Sequence, residues 1–140
     1  MFLRVVAIGI ALLSARLTAA EEGAPFELLS GPAGIASYLR RDDNALVVLQ
    51  KDLKFAVRGR EYGQEASPVP EIRVRPGELV FLKNEEESVA HNVYDEDSAG
   101  VLVEKQLPGS AARMIFAKPG VHHLRCAIHP KMKIVVHVED

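Results

Sequence analysis

The chain has 140 residues, 48% of them apolar and 26% charged, with 17 basic side chains against 19 acidic ones. That length holds one domain with one core, and the slightly acidic balance leaves a nucleic-acid partner without support. A single cysteine excludes an internal disulfide; it must be buried, joined to another molecule or bound to metal.

Residues 1–20 read as a cleaved signal peptide. Met1 to Arg4 is a short basic start, Val5 to Leu13 is an apolar run interrupted only by Gly9, and Thr18-Ala19-Ala20 supplies small residues for cleavage near Ala20. The apolar run is too short to span a bilayer, and Ser14 and Arg16 end it. Export to the periplasm is therefore expected over an uncleaved anchor. Residues 21–44, broken by Gly31, Pro32 and Gly34, read as an N-terminal arm with one or two helical turns over Ile35 to Arg41.

From residue 45 to 140 the pattern is that of a β domain. Ala45 to Leu49 is an apolar run, and Leu53, Phe55 and Val57 alternate with polar partners. Gly59 to Pro70 reads as a long loop. Ile72 and Val74 alternate with arginines, Pro76-Gly77 marks a turn, and Leu79 to Leu82 is an apolar strand ended by Asn84 and three glutamates. Val89, His91 and Val93 point one way and Ala90, Asn92 and Tyr94 the other. Asp95 to Gly109 is expected to be mostly loop. Ala112 to Phe116 and Val121 to Cys126 flank the turn Lys118-Pro119-Gly120, and Ile134 to Val138 closes the chain. About eight short strands separated by Gly and Pro predict an all-β sandwich or barrel.

Chemistry concentrates in Cys126-Ala127-Ile128-His129-Pro130-Lys131-Met132, a C-x2-H-x2-M loop between two strands, with His91 upstream. One thiolate, two imidazoles and one thioether form the ligand set of a blue-copper electron-transfer site. Zinc is the second reading, but structural zinc uses four Cys or His ligands and methionine suits it poorly. The bland alternative is a buried cysteine, a surface histidine and a core methionine brought together by chance. Pro130 restricts the loop and removes an N–H from it. His122 and His123 alternate on one strand and read as one inward and one surface histidine rather than a second metal site. His137 reads likewise as structural, and the acidic runs Glu85-Glu86-Glu87 and Asp95-Glu96-Asp97 as solvated turns.

Cys126-x2-His129-x2-Met132 with Pro130, the upstream His91-Asn92-Val93 and the turn Lys118-Pro119-Gly120 before the cysteine strand resemble amicyanin among the cupredoxins, over roughly Ile72 to Val138. Plastocyanin-type loops place two more residues before the methionine. The resemblance implies a cupredoxin-like Greek-key β-sandwich, one type 1 copper per chain, and electron transfer without enzymatic turnover. It implies His91, Cys126 and His129 as strong ligands, Met132 as the weak axial one, and Asn92 as the residue tying the two ligand loops together. Three positions depart from the pattern: His122 and Leu124 stand where tyrosines are usual, and Ala90 where amicyanin has a proline. Arg125, not histidine, precedes the cysteine, which argues against a multicopper enzyme. The expected role is a monomeric carrier between redox proteins such as a c-type cytochrome or a periplasmic dehydrogenase. The alternative is a copper carrier or chaperone using the same residues.

Overall fold

In the computed structural model, residues 26–60, 69–97 and 100–140 are described. The signal peptide expected over residues 1–20 and most of the Gly59–Pro70 loop lie outside them. In chain order the elements are β1 (Phe26–Leu29), α1 (Gly31–Leu39), β2 (Leu46–Lys51), β3 (Lys54–Arg58), β4 (Glu71–Val74), β5 (Leu79–Asn84), β6 (His91–Asp95), β7 (Gly100–Gln106), β8 (Ala111–Phe116), β9 (Gly120–Arg125) and β10 (Lys133–Val138).

The strands form two five-stranded sheets, β1-β8-β5-β2-β3 and β4-β10-β9-β6-β7. β2 pairs with β5 and β4 with β10 in parallel; the other pairings are antiparallel. The architecture is the expected Greek-key β-sandwich. Alternation decides what fills it. Leu46 and Val48, Val80 and Leu82, and Leu124 and Cys126 face the layer between the sheets. Val47, Leu49 and Phe81 face the opposite side of the first sheet, where Tyr38 of α1 covers them.

Two expectations are corrected. Residues 26–39 are no leading arm: β1 pairs with β8 as an edge strand of the first sheet, and α1 packs on that sheet. The Gly and Pro residues that suggested a break have structural uses. Pro32 starts the helix, and at Gly34 a Cβ would lie 2.6 Å from the Ala111 carbonyl oxygen and 2.7 Å from that of Leu29, so only glycine lets the helix lie this close. Tyr38 then meets Phe81 edge to face at 6.0 Å and accepts a hydrogen bond from Arg58 Nη2. The second correction is β7, within the stretch expected to be mostly loop. Its ladder with β6 has register shifts: His91 is opposite Gln106 while Val93 is opposite Val103, so β7 carries one extra residue there. That bulge breaks the simple alternation by which a strand is read. It also turns Gln106 inward while Lys105 stays exposed.

Candidate metal centre

Two separate pieces of chain deliver donor atoms to one end of the sandwich. β6 begins at His91, which is fully buried. β9 runs into Cys126, also fully buried, and the loop to β10 returns by way of His129 and Met132. The loop folds back tightly: Met132 N–H donates to the His129 carbonyl at 2.9 Å, and Cys126 N–H to the Met132 carbonyl at 3.2 Å. Ala127 N–H donates to Asn92 Oδ1 at 2.7 Å, so Asn92 joins the loop to the strand carrying His91.

Cys126 Sγ lies 3.8 Å from His91 Nδ1 and 3.7 Å from His129 Nδ1, and the two Nδ1 atoms are 3.2 Å apart. Among the described residues this is the one group of His, Cys or carboxylate ligands that converges in this way. Such separations suit donors sharing a single ion at roughly 2.0–2.3 Å. Met132 is 1% exposed and belongs to the same inter-sheet core as Cys126. His129 is partly exposed, whereas the flanking Ile128 is 61% exposed.

Glu86 decides which His91 nitrogen is available. Its Oε1 lies 3.2 Å from His91 Nε2 and also accepts Leu53 N–H at 2.8 Å. An ionised carboxylate only accepts, so Nε2 carries the proton and Nδ1 turns its lone pair to the site. Burial would push Glu86 up, but the Leu53 amide and His91 draw it below the usual carboxylate value. Burial also holds His91 below the usual imidazole value, with the Glu86 charge opposing that effect. Reading the triple glutamate as a solvated turn missed this contact; the signal available was a carboxylate five residues before a candidate ligand. Asn84 was missed as well. Its Nδ2 donates to the Val89 and Gln106 carbonyls and its Oδ1 accepts Glu86 N–H, which shapes the segment leading into His91.

The other histidines do not join the centre. His122 Nδ1 donates to Asp95 Oδ2 at 2.5 Å and its ring lies 4.8 Å from that of Phe116. His123 Nδ1 pairs with Asp97 at 2.8 Å, and His137 Nε2 with Glu71 at 3.1 Å.

No protein-family model matches the chain, and no curated protein does. Solved structures do. An amicyanin mutant with Cu(I) is 26% identical, with a TM-score of 0.59, covering 83% of this chain and 100% of its own. Amicyanin from Paracoccus versutus is 24% identical, with a TM-score of 0.61, covering 82% of this chain and 98% of its own. The chain has an amicyanin-like cupredoxin fold. A further amicyanin mutant, reduced at pH 4, matches at 26% identity and a TM-score of 0.60 over 83% of this chain. In this cupredoxin sandwich the converging trio lies where β6 and the β9–β10 loop meet, and no other described group competes with it.

Proposed function

We propose that the protein is an exported blue-copper electron carrier. The observation that carries this reading is the convergence of one thiol and two imidazole Nδ1 atoms within 3.8 Å of one another at a buried end of a rigid sandwich. His91, Cys126 and His129 would hold one copper, with Met132 as the weak axial thioether; soft sulfur and imidazole together suit Cu(I) and Cu(II). Bound copper supplies a one-electron couple that needs no proton and no bond broken in a substrate. The chain's residues keep the donors in place between states: Asn92 ties the loop, Glu86 fixes His91, and the sheets hold both. No enzymatic step is assigned.

Ile128 and Leu107 are 61% and 53% exposed and line one groove that also reaches Ala90, next to His91. Leu53, 47% exposed, is tied through its amide to Glu86. With Ile128 next to the partly exposed His129 in the chain, these apolar side chains suit a small, short-lived contact with a redox protein, such as a c-type cytochrome or a periplasmic dehydrogenase. Residues 1–20 fit a leader, and a monomer working in the periplasm fits a mobile carrier.

The purified protein loaded with Cu(II) should take up one equivalent and show intense visible thiolate-to-copper absorption. Cys126→Ser should abolish the absorption and leave the circular dichroism of the sandwich intact. A colourless Cu(II) complex of the unmutated protein would refute the electron-carrier reading.

A further inference from the structure

Gln50 sits where an apolar residue would serve the fold better. It follows four buried apolar residues in β2, it is 0% exposed, and among the described residues neither its Oε1 nor its Nε2 has a hydrogen-bond partner. Alternation gives its direction. Leu46 and Val48 belong to the inter-sheet core and Val47 and Leu49 to the layer under α1, so Gln50 faces between the sheets.

The ladders give its place. Gln50 of β2 is the ladder partner of Asn84 at the end of β5. Asn84 bonds the carbonyls of Val89, two residues before His91, and of Gln106. Gln106 is in turn the ladder partner of His91. Gln50 is therefore linked to the His91 segment through Asn84: one strand spacing within the first sheet, ~4.8 Å, and then the Asn84 side chain, which crosses to the second sheet. Three amides thus gather at the metal end of the core, and they are used differently. Asn84 is tied at both ends of its side chain. Gln106 Nε2 donates to the Leu82 carbonyl at 3.1 Å. Among the described residues the Gln50 amide is bound by neither end.

A buried amide without partners lowers stability. An apolar side chain of equal length would not, so the fold alone gives no reason for it. The metal centre does. A one-electron step changes the charge at that end of the core by one unit, and low-dielectric surroundings disfavour the more highly charged state. An amide dipole with no hydrogen bond to hold it can turn towards that charge, whereas the tethered Asn84 cannot.

We propose that Gln50 is a tuning residue whose untethered amide favours the oxidised centre and lowers its reduction potential, at the expense of the metal-free fold. This rests on the copper reading above. The electron is exchanged with the redox partner; no bond forms or breaks at Gln50.

The test measures two things on the full chain: thermal unfolding without metal, and the potential with copper, alongside the visible spectrum. Gln50→Met keeps the length and lack of branching and removes the amide; Gln50→Leu is a second apolar variant. Both should melt several degrees higher without metal, keep the visible band, and show a higher potential. Gln50→Asn keeps an amide but leaves space behind it. It should melt lower while its potential stays nearer that of the unmutated protein. A lower metal-free melting temperature in Gln50→Met would show that the amide is satisfied, and an unchanged potential would show that it does not act on the centre; either overturns the proposal. If the unmutated protein is blue and only these shifts fail, the role of Gln50 alone is lost. If it is colourless with Cu(II), the copper reading falls and this inference with it.

Discussion

β6 and β9 each carry chemistry at both ends, and the two ends use the same residue types differently. At one end His91 opens β6 and Cys126 follows β9; at the other, Asp95 closes β6 and His122 lies near the start of β9. Each end pairs a histidine with a carboxylate. Glu86 takes His91 by Nε2, which leaves Nδ1 facing Cys126 and His129. Asp95 takes His122 by Nδ1, and the ring packs at a tilt against Phe116. One carboxylate aims a proposed ligand, and the other ties up a histidine as a structural part. Which nitrogen the carboxylate occupies, and whether a thiol stands beside the other, separates a binding site from a satisfied core pair.

The comparison breaks most visibly at Glu86. Glu86→Gln keeps the acceptor oxygen and removes the charge that favours the tautomer with its proton on Nε2, the one that leaves the Nδ1 lone pair facing Cys126. Copper affinity, measured by competition with a chelator, should fall about 10-fold or more, while the metal-free melting temperature moves little. Unchanged affinity would mean that Glu86 does not aim His91.

At the other end the expected pattern is reversed. Asp95→Ala removes the acceptor for His122 Nδ1 and for Asp97 N–H. It should destabilise the protein by about 2 kcal/mol in denaturant unfolding and leave the copper spectrum as it is. A changed spectrum would show that the two ends are coupled.

A pH series on the metal-free chain sharpens the contrast. His91 lies below its ordinary value of 6.5, so the folded chain prefers it neutral. The associated stability is complete above that value and is lost as pH falls through it and on to the depressed value. Thermal melts between pH 8 and 5 should show the loss, and Glu86→Gln should enlarge it because the opposing charge is gone. A flat profile would place His91 in contact with water.

The smallest effect belongs to the exposed pair. The His123 backbone N–H, and then its side chain, hold Asp97 below its ordinary 3.8. The stability from this pairing is present above 3.8 and disappears in stronger acid. Asp97→Asn should therefore cost below ~1 kcal/mol at neutral pH, as exposed pairs do, and nothing near pH 2.

Much of this was readable along the chain. Eight strands follow from alternating apolar residues and Gly or Pro turns, because a strand's two faces repeat every second residue. The loop from Cys126 to Met132 stands out because its residue types are uncommon together. The helical turns expected over Ile35 to Arg41 are there, within α1, but β1, β7 and the packing of α1 on the sheet were not readable. β1 is short and α1 is interrupted by glycines, and both are held by packing on β8 and Phe81. β7 is bulged, so its faces do not alternate.

What the sequence determined by itself is therefore the β class, the donor types and the two chain segments that carry them, since period and composition are local properties. What only the tertiary structure decided is which groups meet. Glu86 reaches His91 because the β2–β3 hairpin holds its carboxylate through Leu53, and Asn84 bridges strands that lie far apart in the chain. His122 is consumed by Asp95, 27 residues away. The Gln50 side chain has no hydrogen-bond partner among the described residues at the buried end near His91. Hydrogen bonds are short-ranged and directional, so their partners exist only once two sheets have set the distances.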